Sequence, residues 1–519
     1  MVGKITDEEM KNTIHIIMLW TIGILSMACQ KSQEENPTKT VVIIVDALRF
    51  DYVNQENTPN IFSLKENGVS GIHHHSTFPT VTRVNTTTYA TGAYPKTHGI
   101  LGNSIYLPEV DKSKGLNTGD ARTMMLADSV MGGKLITSPS IGELISINGL
   151  GTYAVFSTGS TGQSYLLNHR VTGLGIINPD MILPESFAAE LTEQIGQVPP
   201  RAKPNKERHK WITDAFIKYA LEEDKIDIAT IWYSDPDGTA HAEGIGSPMT
   251  MESIKNVDEQ IGRILQASRD LGMEDRLNII VSADHGFATH LGNPGIADFL
   301  IKNGLKKNKD SEDVTVVGNA IYLDNETKNR SGEIIESFLL EDWVGAIFVN
   351  PNLDFDSDLK ENIFSFDPIH WGHPERQGDI YVDVNWNDEI NEFGYKGYSY
   401  NRGIAGHGSS SPYEMKTPFL AFGPSFKSGI ENKLPSGMVD LVPTVLYIHG
   451  LDDKSYNPDG RVLHEILRSS SSSENDDFET IISVKTLEQS GGVYELNVTQ
   501  SVIGERKYLD FTKTVRSQK

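Results

Sequence analysis

The chain has 519 residues, enough for a large core and more than one domain, with the 38% hydrophobic and 22% charged content of an ordinary soluble globular protein. Its 46 Lys and Arg against 70 Asp and Glu give a net charge of −24, which argues against broad nucleic-acid binding and indicates a solvated acidic surface. The single cysteine excludes an intrachain disulfide.

The N-terminal segment predicts export and lipidation. Lys11 precedes a short apolar run that ends at Ala28 and Cys29, and this pattern resembles a bacterial lipoprotein signal peptide, although Ser26 stands where Leu is usual. The run is too short and wrongly flanked for a permanent spanning helix. We therefore expect a signal peptide over 1–29, a polar tether over 30–38, and an acylated Cys29 that binds the membrane on the periplasmic or cell-surface side of a bacterial envelope. An uncleaved anchor is the alternative.

Apolar strands then alternate with amphipathic helices, which predicts an α/β catalytic domain over 39–467. The predicted strands are 41–46, 152–157, 226–233 and 276–283. The predicted helices are 58–68, a helix opening near Thr82 and continuing to 91, 138–149, 210–222 and 249–271.

The alternation breaks down over about 295–398, where short β-rich stretches with irregular connectors predict an inserted α+β cap. A returning strand over 415–423 and a helix over 438–450 complete the domain. The run SSSSSENDD lies in a predicted low-complexity linker over 468–477. The alternating stretches VYELNVTQ and RKYLDFTKT predict a small β appendage over 478–519.

Acidic and imidazole side chains follow the apolar runs, where loops of a parallel sheet carry ligand sites. They are Asp46, Asp237, His241, Asp284 and His285, joined by His407 in a Gly-rich stretch. Carboxylates and imidazoles together suit zinc, and other divalent ions suit the same ligands. The Asp237 and His241 spacing alone is a weak signal, because i,i+4 pairs are common on helices. Asp235 is a rival ligand to Asp237.

The stretch TFPTVTRVNTTTYATGAYPKTHGILGN resembles the nucleotide pyrophosphatase/phosphodiesterase family of the alkaline phosphatase superfamily, and the resemblance covers about 39–465. It implies a sandwich of a mostly parallel sheet with helices on both faces, two zinc ions, a nucleophilic Thr82 and a phosphate-binding Asn103. It also implies that Asp46, Asp284 and His285, bridged by Thr82, hold one ion. The other ion would be held by Asp237, His241 and His407. Thr80 is the rival nucleophile, expected to be structural.

The resemblance has two departures that concern substrate. Arg83 and Val84 follow Thr82 where family members often carry an aromatic residue and Pro, so an aromatic platform for a nucleotide base is not implied. The later stretch HGSSSPYEM, at 407–415, stands where eukaryotic members typically have His-Gly-Tyr-Asp-Asn, so nucleotide specificity is not implied either. Arg83 and Lys96 could meet phosphate or be solvated charges. The other histidines, His73, His74, His75, His98, His370 and His373, are expected to be structural.

We therefore expect a zinc-dependent hydrolase of small phosphate esters, either diesters or nucleotide pyrophosphates, acting through a phospho-threonine intermediate. A phosphomonoesterase or phosphonate hydrolase on the same core is the enzymatic alternative. A non-catalytic surface lipoprotein that binds a glycan or a partner is the alternative from a different class, and the complete ligand set argues against it.

Overall fold

A computed structural model describes residues 38–470, 477–489 and 491–518. The predicted signal peptide, the lipidation site Cys29, most of the tether and most of the Ser-rich linker lie outside the described residues. Over the described ranges, no helix is long and apolar enough to cross a membrane.

A nine-stranded sheet forms the centre of the fold. In chain order its strands are β1 (Lys39–Val45), β2 (Val69–Gly71), β3 (Tyr153–Ser157), β4 (Gly175–Asn178), β5 (Met181–Leu183), β6 (Ile228–Tyr233), β7 (Leu277–Ser282), β8 (Phe419–Phe422) and β9 (Ile430–Asn432). Across the sheet they run β9-β2-β8-β7-β1-β6-β3-β4-β5. The five strands from β7 to β4 are parallel, while β8 and β5 are antiparallel to their neighbours, so the site strands belong to the parallel part.

Helices cover both faces of the sheet because successive side chains of each strand point to opposite faces. On β1, Val41 and Ile43 pack on one layer of helices, together with Trp211 and Ile261. Val42 and Ile44 pack on the other layer, which contributes Tyr89, Ile141 and Val445. The near-continuous apolar runs of the sequence are thus buried on both sides, as the predicted α/β sandwich requires.

Within the described ranges, all six predicted helices are present with ends shifted by a few residues, and nine further α-helices occur. The structure places them at Pro59–Asn67, Thr82–Thr91, Pro95–His98, Ala121–Val130, Ile141–Asn148, Thr161–Leu167, Ala188–Ile195, Lys206–Phe216, Asp237–Glu243, Pro248–Asp270, Ile296–Lys302, Ser331–Leu339, Ser357–Glu361, Pro412–Met415 and Leu441–Ile448. A π-helical turn, Ile217–Glu222, extends the Lys206 helix. The helices at 121–130, 161–167 and 188–195 were not predicted.

The segment predicted as a cap contains a five-stranded sheet. Its strands, in spatial order, are Val314–Val317, Ala320–Leu323, Ile380–Val384, Val344–Val349 and Phe364–Ser365. A second, four-stranded sheet joins Trp386–Ile390 and Lys396–Ser399 to Ala288–His290 and Ala405–Gly406. The inserted segment is therefore hydrogen-bonded to strands that lie close to His285 and His407 in the chain.

The C-terminal residues form three antiparallel strands, Glu479–Gln489, Gly492–Ile503 and Arg506–Gln518. Tyr494 and Val498 of this sheet share one buried hydrophobic cluster with Ile347 of the inserted segment. Short paired strands occur at Ser104–Ile105 with Leu116–Asn117, and at His74–His75 with Ser436–Gly437.

Candidate active site

The three predicted ligand aspartates stand beyond the carboxyl ends of three neighbouring strands. Asp46 directly follows β1, Asp237 opens a helix after β6, and Asp284 comes two residues after β7. Because β7, β1 and β6 are adjacent and parallel, the loops after them meet at one edge of the sheet. The alternation of strands and helices thus brings together residues more than 230 positions apart.

The first cluster contains Asp46, Asp284, His285 and Thr82. His285 Nε2 lies 3.1 Å from Asp284 Oδ2 and 3.6 Å from Asp46 Oδ1. It also lies 3.4 Å from Thr82 Oγ1. All four side chains are buried. This is the set expected to hold one ion, with the hydroxyl of Thr82 beside it.

The second cluster contains Asp237, His241 and His407. Asp237 Oδ1 lies 3.1 Å from His241 Nε2 and 3.2 Å from His407 Nε2, and the two Nε2 atoms are 3.3 Å apart. The ring of His407 stacks on that of His285 with 3.6 Å between centroids. Ligand atoms of Asp237, His285 and His407 also lie within 4.8 Å of one another, so His285 faces both clusters. The structure therefore brings all seven predicted ligands into one continuous site.

Backbone carbonyls orient the three histidines. Each donates its Nδ1 proton to a carbonyl oxygen at 2.7–2.9 Å: His285 to Gly286, His241 to Ala405 and His407 to Thr80. A carbonyl can only accept, so in the neutral ring Nε2 carries the lone pair. All three Nε2 lone pairs consequently point at the carboxylate clusters, the orientation of a metal-ligating histidine.

The carboxylates complete a site that needs cations. Within the described ranges, Asp46 Oδ1, Asp237 Oδ1 and Asp284 Oδ2 are buried and accept no hydrogen bond. Burial, then the charges of Asp284 and Asp237, raise the pKa of Asp46 well above its ordinary value. Burial also lowers the pKa of His407 to about 4, which keeps its ring neutral. Acceptor atoms that face one another without donors fit divalent cations bound between them.

The remaining oxygens of two aspartates are held by the fold. The indole Nε1–H of Trp232 donates to Asp46 Oδ2 at 3.0 Å, and the backbone N–H of Ala47 donates to Asp284 Oδ1 at 3.1 Å. Trp232 is fully buried. These donors fix which oxygen of each carboxylate faces the cluster. Sequence reasoning missed Trp232, because only the pairing of β6 with β1 brings its side chain to Asp46.

Thr82 is the first residue of the helix Thr82–Thr91 and has its hydroxyl beside the first cluster. The helix N-terminus favours an anion at this point. Asn103 accepts the backbone N–H of Arg83 with Oδ1 at 3.1 Å. Its carboxamide oxygen is thus occupied, and its NH₂ group remains available to donate to an anionic oxygen.

The two rival residues have other partners. Thr80 donates to the carbonyl oxygen of Ser409 at 2.7 Å, in the loop after His407. Asp235 accepts the backbone N–H groups of Thr239 at 3.1 Å and Asn205 at 2.8 Å. Both side chains therefore support loops of the site and face neither cluster.

The other histidines bond elsewhere. Their partners are Ser436 for His74, Asp510 for His75, Thr88 for His98, Lys507 for His370 and Thr137 for His373. His73 packs on Phe478. None of them belongs to either cluster in the described part of the chain.

Sequence reasoning also missed Glu414, which holds the loop after His407. Its buried carboxylate accepts the hydroxyl of Thr80 at 3.0 Å, the N–H of Gly408 at 2.7 Å, and the N–H and hydroxyl of Ser409 at 2.7 and 2.6 Å. Burial raises the pKa of Glu414 to about 7 despite these donors. Glu414 belongs to no recognisable motif in the sequence, so its role in holding this loop could not be predicted.

Three clefts open around the clusters. One passes Asn103 and His407 and is walled by Tyr322, Trp371 and Tyr381. A second contains His241, His290 and Asn401. The third has a volume of about 230 Å³ and is lined by Asp46, Thr82, Arg83, Asp237, the 158–160 turn and the 201–205 segment. A substrate at Thr82 can therefore extend in more than one direction.

Comparison with known proteins identifies relatives over most of the chain. Residues 40–397 match the model of a family described as type I phosphodiesterase / nucleotide pyrophosphatase. Mouse ectonucleotide pyrophosphatase/phosphodiesterase family member 7 is 23% identical over 465 residues, covering 88% of this chain and 94% of the relative. The bis(5'-adenosyl)-triphosphatase of Pongo abelii is 22% identical over 442 residues, covering 84% of this chain and 83% of the relative.

Solved structures share the fold. Murine ectonucleotide pyrophosphatase/phosphodiesterase 5 superposes with a TM-score of 0.56 at 17% identity, covering 80% of this chain and 95% of the other. A mutant of the alkaline phosphatase PafA superposes with a TM-score of 0.61 at 16% identity, covering 83% of this chain and 99% of the other. The predicted alkaline-phosphatase-like α/β architecture is thereby confirmed.

Proposed function

This chain belongs to the type I phosphodiesterase / nucleotide pyrophosphatase family, and from that premise we propose that it is a two-zinc hydrolase of phosphodiesters or nucleotide pyrophosphates that uses Thr82 as nucleophile. The family and the named relatives establish a phosphodiesterase-type hydrolase. Zinc, the number of ions and the phospho-threonine intermediate are the parts that we propose.

One observation carries the proposal: three imidazole lone pairs and three unsatisfied carboxylate oxygens converge beside a buried threonine hydroxyl. Asp46, Asp284 and His285 would hold one ion next to Thr82, and Asp237, His241 and His407 would hold the other. Bound zinc supplies Lewis acidity, which lowers the pKa of a hydroxyl and stabilises charge on phosphoryl and leaving-group oxygens.

The residues of the chain then have defined tasks. The Thr82 hydroxyl loses its proton to solvent and Oγ1 forms a bond to phosphorus, while the ester oxygen departs with its electron pair and takes up a proton. The NH₂ group of Asn103 donates to a non-bridging oxygen, where negative charge accumulates in the transition state. The helix that begins at Thr82 favours the same negative charge. Water later attacks phosphorus and releases Thr82.

An assay against two chromogenic esters tests this function. We expect the zinc-loaded protein to hydrolyse bis(4-nitrophenyl) phosphate, to contain about two zinc ions per chain, and to lose both metal and turnover after chelation. A protein that binds no divalent metal and hydrolyses neither this diester nor 4-nitrophenyl phosphate would be a surface binding protein on an inactive fold.

The proposal includes the location of the enzyme. The apolar run before Cys29 and the polar stretch after it support cleavage before Cys29 and acylation of its thiol. Several acyl chains anchor a protein stably, since each buried methylene contributes about 0.8 kcal/mol. The catalytic domain would then lie outside the cytoplasm, tethered to a bacterial membrane.

A further inference from the structure

We propose that Arg83 forms an anion subsite, which binds a second negative charge that the substrate carries next to the scissile phosphorus. The inference rests on the proposed function and narrows its substrates: a nucleotide pyrophosphate, or the phosphomonoester of the enzymatic alternative, would be preferred to a simple diester. Arg83 directly follows the nucleophile Thr82, so its backbone is fixed by the same helix.

The side chain of Arg83 lies in the cleft with the reacting groups. It lines the cleft of about 230 Å³ together with Thr82, Asp46 and Asp237. Asp46, Asp237 and Asp284 are the charges that act on its guanidinium; burial lowers the pKa of Arg83, and these three carboxylates raise it. An arginine keeps its proton under such conditions. A fixed positive charge therefore lies in the same cleft as the Thr82 side chain.

No protein group neutralises this charge directly. Over the described ranges, Arg83 forms no ion pair within 4.0 Å, and its Nε is buried without a hydrogen-bond acceptor. The nearby carboxylates direct their free oxygens at the histidine Nε2 atoms, where the proposed ions would bind. A buried donor without an acceptor is costly, so an anionic ligand oxygen would stabilise this arrangement.

Space for the guanidinium is provided by Gly119. A Cβ atom at this position would lie 2.7 Å from a guanidinium Nη of Arg83 and 3.0 Å from Asn117 Oδ1. Any side chain at 119 would therefore displace the guanidinium.

The cleft continues to Lys203, which is exposed and forms no ion pair among the described residues, and to Arg201, which pairs with Asp180 at 2.9 Å.

Arg83 and Asn103 approach Thr82 from different clefts, and this difference defines the substrate. Asn103 lines the cleft on the His407 side, whereas Arg83 lines the one on the Asp46 and Asp237 side. A diester carries one negative charge on two non-bridging oxygens, which Asn103 and the ions can satisfy. A third anionic oxygen on the same phosphorus, or a phosphate bonded to it, supplies the second charge that matches Arg83.

The test measures kcat/KM for a doubly charged substrate divided by kcat/KM for a singly charged diester. In Arg83→Ala, we expect kcat/KM for a doubly charged substrate to fall relative to bis(4-nitrophenyl) phosphate by about 10- to 100-fold, the effect of one charge-assisted hydrogen bond. In 4-nitrophenyl phosphate the second negative charge is on a third oxygen of the same phosphorus. In ATP it is on a neighbouring phosphate. A fall with either substrate supports the subsite and identifies the source of the charge. Gly119→Ala should lower the same ratio, and Lys96→Ala, at an exposed lysine outside the cleft, should not.

The alternative is that Arg83 only balances the negative charge of the three aspartates and contacts no ligand. Arg83→Ala would then change all three substrates equally and leave the ratios as in the wild type, which would overturn the proposal. A binding measurement separates the subsite from the proposed reaction: in zinc-loaded Arg83→Ala, we expect the Kd for inorganic phosphate by calorimetry to rise about tenfold or more. If the wild type hydrolyses no ester, the proposed function fails, and this phosphate titration alone decides on the subsite.

Discussion

Removing the indole N–H of Trp232 tests how the fold prepares Asp46 for a cation. Trp232→Phe deletes the 3.0 Å hydrogen bond to Asp46 Oδ2 and keeps an aromatic ring in the buried site. Hydrogen bonds to charged groups contribute about 1.5–3 kcal/mol, and supporting partners of metal ligands are worth about 10- to 100-fold in metal affinity. We expect zinc affinity at the first cluster to fall by that factor.

Trp371→Phe is the matched control. Trp371 is also buried, and its Nε1 donates to the carbonyl oxygen of Leu101 at 2.9 Å, so this indole bonds to no candidate ligand. Both variants lose one indole hydrogen bond and leave a similar cavity, so their free energies of unfolding without metal should fall by comparable amounts. Competition with a chromogenic chelator measures zinc affinity. Equal zinc affinities in Trp232→Phe and Trp371→Phe would refute the role assigned to the indole.

Three further predictions concern the nucleophile, pH and the anchor. Thr82→Ala should reduce kcat by orders of magnitude while retaining most bound zinc, whereas Thr80→Ala should leave kcat of the same order as in the wild type. The reverse pattern in steady-state kinetics would show that Thr80 is the nucleophile. Asp383 is buried in the strand Ile380–Val384, and burial raises its pKa to about 7, above its value in the unfolded chain. Its stabilising contribution to the free energy of unfolding is therefore complete in acid and is lost as pH rises through about 7. Between about pH 5 and about pH 8, the free energy of unfolding, measured in urea, should fall less in Asp383→Asn than in the wild type, by on the order of 3 kcal/mol. An equal fall in both proteins would contradict the raised pKa of Asp383. Cys29→Ser should give an uncleaved precursor or a released soluble form; identical mass and membrane retention to wild type would indicate an uncleaved anchor.

Most of the candidate ligands could be picked out from the sequence because they adjoin elements with a strong local signal. Asp46 and Asp284 come at the ends of apolar runs that can only be buried strands, and adjacent parallel strands bring their ends together. His407 has no such run before it, and its glycine neighbours and the family resemblance identified it. Its neighbour in space, His285, is 122 positions earlier, a distance that only the fold closes.

Residues that act by supporting others were missed for a physical reason. Glu414 matters because three donors of the His407 loop and the hydroxyl of Thr80 converge on it, and Trp232 matters because its indole reaches across to Asp46. Neither property is encoded by residue type or spacing. Arg83 was a candidate in the sequence, but its position in a cleft depends on Gly119 and the 201–205 segment, which are distant in the chain.

The two clusters differ in the exposure of their side chains, and this difference bears on the path by which a leaving group would reach solvent. The side chains of Asp284 and His285 are 0% exposed, whereas those of His241 and Asp237 are 43% and 19% exposed. Thr82, the proposed nucleophile, lies beside the more buried cluster, where rigid packing can hold its hydroxyl in one position. A departing alcohol or phosphate must reach solvent, and the open cluster borders the cleft containing His241 and His290. In the proposed reaction, attack from the side of Thr82 and departure towards His241 would place the entering and leaving oxygens on opposite sides of phosphorus, as in-line displacement requires.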